Sequence, residues 1–93
     1  MTKSYITSFL FIFMQTKFRR HQKVKLLVDP DKEYIEPSED YVEKKIEIKK
    51  GMTGKINIVL PNGQYHVGIL DSKENIIAYV VMSEDDLEGV NIS

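Results

Sequence analysis

Residues 49–88 read KKGMTGKINIVLPNGQYHVGILDSKENIIAYVVMSEDDLE, and apolar and polar residues alternate along them almost without a break. A period of two marks strands with one face buried and the other wet. The spacing predicts three of them. Lys55 to Leu60 puts Ile56, Ile58 and Leu60 on one face. Gln64 to Leu70 turns Tyr65, Val67 and Ile69 inward and Gln64, His66 and Gly68 outward. Ile76 to Val81 offers Ile77, Tyr79 and Val81 to the same core. Pro61-Asn62-Gly63 is a hairpin turn with a mechanism, because Pro presets φ and Asn-Gly tolerates positive φ. DSKEN, 71–75, is a second, looser turn. Strands joined this closely form an antiparallel meander.

Working outward, Ser83 with Asp86 three residues on matches a short capping box, so 83–87 is expected to make one helical or 3-10 turn. Leu87, Val90 and Ile92 then close a final short strand. On the other side, Gly51 and Gly54 give KKGMTG the backbone freedom of a tight bend. Ile46 and Ile48 carry alternation into that bend. Residues 31–45, DKEYIEPSEDYVEKK, are polar, acidic and interrupted by Pro37. They form a long excursion anchored by Tyr34, Ile35, Tyr41 and Val42. Before it, Val24, Leu26 and Val28 alternate as a half-buried strand that Asp29-Pro30-Asp31 ends. The order is strand, long polar loop, three-stranded meander, single helical turn, last strand. The class is all-β.

The N-terminal run YITSFLFIFMQ, 5–15, stands apart. Its apolar centre, Phe9 to Met14, is far shorter than the roughly 18 to 20 residues that span a bilayer. The following QTKFRRH has no small-residue cleavage site, so a secretory signal is not expected. Ile6, Phe9, Leu10 and Phe13 fall on one helix face, yet Phe9, Phe11 and Phe13 also alternate with Leu10, Ile12 and Met14 as a strand buried on both sides. Both readings are open, as is a start at Met14. Such a segment needs a cover, and Phe9, Leu10, Phe11, Ile12 and Phe13 are the expected interface of a homo-oligomer, a homodimer being the economical form. Residues 1–17 are thus read as an apolar and basic segment, and 18–93 as one domain.

Ninety-three residues, 42% apolar and 29% charged, describe one soluble globular domain with a modest core. The absence of cysteine excludes disulfides, thiolate metal sites and a cysteine nucleophile, and fits a reducing, cytoplasmic compartment. The net charge of −1 hides an asymmetry. Residues 1–25 carry Lys3, Lys17, Arg19, Arg20, Lys23 and Lys25 without an acid, a net +6, whereas 26–93 are net −7. The basic arm is either offered to a partner or laid over the body's own acids.

IKKGMTGKINIVLPNGQYHVGILD resembles the K-K-G-x-x-G-x-[VI]…G-x-Y-x-V-x-[FI] pattern of SH3-like barrels. These include KOW-type modules of ribosomal and transcription proteins, the small subunits of nitrile hydratase and ferredoxin–thioredoxin reductase type, and small stand-alone uncharacterised barrels. FRRHQKVKLLVD resembles their F-x-x-G-D-x-V opening but departs from it at Arg20-His21-Gln22, which lack the Gly-Asp. AYVVMSEDDLEGV resembles the close of the stand-alone group. The likeness covers 18–92. It implies a small barrel of about five antiparallel strands with one short 3-10 turn, and leaves function open because this barrel hosts many activities.

No constellation specifies a reaction. His21 and His66 have no cysteine or spaced histidine with which to share a metal. Glu84-Asp85-Asp86 lacks the glycine and twelve-residue spacing of an EF-hand, so a solvated capping turn is the simpler account. Gly51-x-x-Gly54 lacks the Lys-Ser/Thr of a phosphate loop. The serines have no nucleophile-elbow context. No catalytic residue, metal or cofactor is expected.

Binding is left. The resemblance implies a groove beside the long first loop. That loop carries Tyr34, Glu36, Pro37, Glu39, Asp40 and Tyr41, aromatics among acids, which suit a basic or Arg-containing protein segment. The tyrosines could equally serve to peg the loop to the barrel. An alternative is nucleic-acid binding through Lys17, Arg19, Arg20, His21, Lys23 and Lys25, since phosphates need such cations. A third reading is a small subunit of a larger enzyme.

Overall fold

A computed structural model describes residues 16–90. The apolar run and its expected interface residues Phe9, Leu10, Phe11, Ile12 and Phe13 lie outside the described residues, as does Ile92. The described chain is all-β. Strands β1 (Lys23–Leu26), β2 (Ile35–Pro37), β3 (Thr53–Leu60), β4 (Gln64–Leu70), β5 (Ile76–Ser83) and β6 (Leu87–Gly89) are joined by three 3-10 turns at Lys32–Tyr34, Glu39–Tyr41 and Glu84–Asp86. They form one antiparallel sheet in the order β2-β5-β4-β3-β1-β6. The expected order of elements is present, with the meander β3-β4-β5 pairing consecutively. Among the described residues no helix is long and apolar enough to cross a membrane.

One sheet without a covering helix layer can bury a face only by curling around it. The core lies on that inner face: Val24 and Leu26 from β1, Ile56 from β3, Tyr65, Val67 and Ile69 from β4, Ala78, Val80 and Met82 from β5, and Leu87 from β6. Phe18 closes one end. Its backbone N–H donates to the Tyr65 hydroxyl at 3.1 Å, which satisfies a phenol that is otherwise wholly buried. The two rings meet edge to face with centroids 5.4 Å apart.

The local chemistry works as the sequence implies. Asn62 and Gly63 adopt φ of 62° and 71° in the first hairpin turn. The Ser83 hydroxyl accepts from the Asp85 N–H and caps the last 3-10 turn. In the second turn the Asp71 carboxylate accepts from the N–H groups of Lys73 and Asn75, at 2.8 and 2.9 Å.

Two β-bulges correct the expected core. The β3–β4 register slips between Ile56 and Ile58, leaving Asn57 as the extra residue. Beyond it the side chains change faces. Ile56 is 0% exposed but Ile58 is 48% exposed, and Val59 packs on the core instead. The β4–β5 register slips where Ile69 pairs with Ala78 but Leu70 pairs with Ile76. Ile77 is buried at the bulge, and the inner face then passes to Ala78, Val80 and Met82. Tyr79 and Val81, expected inside, face outward; Val81 is 40% exposed while Val80 is 1% exposed.

Smaller corrections concern the ends. β1 stops at Leu26, whose carbonyl accepts from the Gly51 N–H at 2.8 Å, and Val28 is exposed after the chain leaves the sheet. Ile46 and Ile48 form no strand; Ile48 is buried as a plug from the loop. The excursion contributes a strand not expected from its sequence. β2 is the short outer neighbour of β5, an edge position where Pro37 leaves no ladder bond unmade.

Candidate binding face

The bulges assemble the outer face. Ile58 on β3 pairs with His66 on β4, which pairs with Val81 on β5. Tyr34, just before β2, shares a shallow cleft with Val81 and Gln64. These side chains run across the sheet as one row, with Tyr34 63% exposed at its end. A second row lies beside it. Lys23 pairs with Lys55, Lys55 with Gly68, Gly68 with Tyr79, and Tyr79 with Glu36. Cations stand at one end of this row and a carboxylate at the other.

The two rows are locked together. The His66 ring stacks on Tyr79 with centroids 5.0 Å apart and planes 17° apart. The Asn57 side-chain amide lies 3.0 Å from His66 Nδ1. The Arg20 guanidinium donates from Nε to the Asn57 carbonyl at 3.2 Å. The bulge residue thus orients both a histidine and an arginine. Gly68 has no side chain to offer; a Cβ there would stand 3.2 Å from the Ile76 side chain and 3.5 Å from Tyr79.

The expected partner residues divide. Tyr34, Glu36, Pro37, Glu39 and Asp40 are exposed around β2 and its flanking turns. Tyr41 is not equivalent: it is half-buried against the core, with Lys44 Nζ 4.8 Å from its ring centroid, and pegs the loop down.

The expected basic set divides too. Lys23 pairs with the Glu74 carboxylate, and Lys25 stands directly across from Glu88 of β6. Lys17 lies over the Phe18 ring, its Nζ 5.4 Å from the centroid. Arg19, Arg20 and His21 are exposed. His21 adopts φ of +72°. That is the left-handed region, open to glycine and tolerated by few other residues. Gln22 supports this turn by accepting from the Arg19 N–H at 3.0 Å.

Lys55, Ile58, His66, Tyr79 and Val81 are surface residues that sequence reasoning did not assign to a site. The available signal was the outward phase of His66, which the structure bears out. Ile58, Tyr79 and Val81 were hidden by the bulges. Among the described residues no cluster of three or more His, Asp or Glu side chains could hold a metal ion. No family model, curated protein or solved structure matches this chain.

Proposed function

We propose that the chain is a non-catalytic binding module of SH3-like layout that holds a protein segment across the outer face of its sheet. The observation that carries this reading is the row Ile58, His66, Val81 and Tyr34, whose apolar and aromatic surface no element among the described residues covers. Contiguous surface of this kind marks interaction sites, whereas scattered exposed apolar residues need no explanation. The β2 end adds Glu33, Glu36, Glu39 and Asp40, all exposed. A partner segment with an apolar side chain over Val81 and an arginine against Tyr34 meets both properties, by stacking and by charge-assisted hydrogen bonds.

A second reading has its own observation. Arg20, fixed on the bulge beside the His66–Tyr79 stack, joins a cation to a ring platform, the combination that holds single-stranded nucleic acid. The net −7 charge of residues 26–93 opposes it.

One experiment separates the two. The tagged chain is used to capture partners from its native host, with and without nuclease, beside Val81→Lys and a control, Leu27→Lys, at an exposed residue away from the rows. Protein capture that survives nuclease, is lost with Val81→Lys and persists with Leu27→Lys supports the proposal. Capture that disappears with nuclease supports the second reading. Equal capture by Val81→Lys and the unaltered chain refutes the outer-face site.

A further inference from the structure

A separate cleft opens where β1 and β3 meet the turn between β4 and β5. It encloses about 230 Å³ and is lined by His21, Lys23, Lys55, Leu70, Glu74 and Ile76. Three features set it apart. Lys23 and Lys55 stand directly opposite one another across two strands, an arrangement of like charges that weakens a sheet unless something compensates. Two wall residues, His21 and Glu74, hold left-handed backbone at φ of +72° and +65° without being glycine. Leu70 and Ile76 give the cleft an apolar side. Strained backbone concentrated around a cleft is typical of sites where geometry serves a ligand.

Glu74 is the compensation in the present state. Its carboxylate pairs with Lys23, and the hydrogen bond from Lys23, followed by the charges of Lys23 and Lys55, holds its carboxyl below the usual range. Yet its side chain is 65% exposed and sits at the tip of a turn. Among the described residues Lys55 and His21 make no ion pair, so one carboxylate faces an excess of cationic and donor groups. A carboxylate in that position marks where the oxygens of an incoming anion would lie.

We propose that this cleft binds a small oxyanion with a short apolar body, a carboxylate or a phosphate monoester, whose head takes the place of the Glu74 carboxylate between Lys23 and Lys55 while its tail lies on Leu70 and Ile76. The volume is below that of drug-sized ligand pockets, which limits the occupant to a few heavy atoms beyond the head group. The site is distinct from the row that ends at Tyr34 and does not rest on the protein-binding reading.

The test is a backbone NMR titration of the full chain with acetate, butyrate and butyl phosphate, at ionic strength held constant with sodium chloride. Saturable shifts confined to His21, Lys23, Lys55 and the 71–76 segment are expected, with butyrate binding more tightly than acetate. Butyl phosphate against butyrate identifies which head group the site prefers. Lys55→Gln should weaken binding about fivefold, and Glu74→Gln, which removes the competing carboxylate, should strengthen it by about the same factor. His21→Gly relieves the backbone and so should raise the melting temperature while weakening binding, a combination that a merely structural histidine would not give. Shifts that scatter over exposed lysines such as Lys32 and Lys44 without saturating overturn the proposal. So does unchanged affinity in Lys55→Gln and His21→Gly.

Discussion

β4 and its two neighbours follow the same alternation in sequence but not in space. Along β4 the pattern holds from Tyr65 to Ile69, and all three expected inner residues are wholly buried. In β3 and β5 one bulge each reverses the pattern part-way along. Alternation therefore tells which side a residue takes only as far as the first bulge. The difference also shows what the bulges achieve. Ile58, Tyr79 and Val81 leave the core for the outer face, and Asn57, the extra residue, holds Arg20 and His66 there. Bulges that re-aim side chains recur beside functional sites. The small core of this chain loses three large side chains from its expected membership and gains a surface.

The contrast is broken most decisively on β3. Ile56 and Ile58 are the same residue two positions apart, and an unbulged strand would bury both alike. Ile56→Ala is expected to cost about 2–5 kcal/mol, the range for buried isoleucine truncation. Ile58→Ala should stay within about 0.5 kcal/mol, as for surface substitutions. Urea unfolding of the pair measures the difference, and equal losses would remove the β3 bulge.

A milder pair probes β5. Val80→Thr buries a hydroxyl in the core and should cost about 1–3 kcal/mol. Val81→Thr puts the same hydroxyl in water and should change the unfolding midpoint little. The reverse order would restore the unbulged register.

The smallest effect concerns the turn that enters the β5 bulge. Asp71 is held below its ordinary value, first by the hydrogen bond from the Asn75 N–H and then by that from Lys73, against some desolvation. A depressed carboxyl contributes stability that is full above its unfolded value, near 3.8, and is lost as pH falls through the lower folded value. The stability difference between the unaltered chain and Asp71→Asn should therefore be constant near neutrality and shrink below about pH 4. A difference that grows on acidification would contradict the assigned hydrogen bonds.

Much of this fold was legible because its turns carry their own chemistry. Pro61-Asn62-Gly63, Asp71–Asn75 and Ser83–Asp86 fixed the number and order of the meander strands. β2 was not legible, because Ile35-Glu36-Pro37 has a single apolar residue and a proline, and it pairs only because β5 presents a free edge. Phe18 lay at the edge of the expected domain with no periodic partner, and its role depends on Tyr65, 47 residues away. The acidic half of the proposed binding face was visible from composition. Its apolar half was not, since nothing in KINIVL or NIIAYVVM announces where the extra residue will fall.

The most direct test of the account uses the absence of cysteine, which makes any introduced thiol unique. Ile58→Cys, Tyr79→Cys, Val80→Cys and Val81→Cys are labelled under native conditions and the rates compared with those in denaturant. The bulged register of β3 and β5 predicts prompt labelling at 58 and 81, somewhat slower labelling at 79 beneath the His66 ring, and protection at 80 that is released only by unfolding. Protection at 58 and 81 with prompt labelling at 80 would contradict it, returning those residues to the core and leaving the outer face without its apolar row.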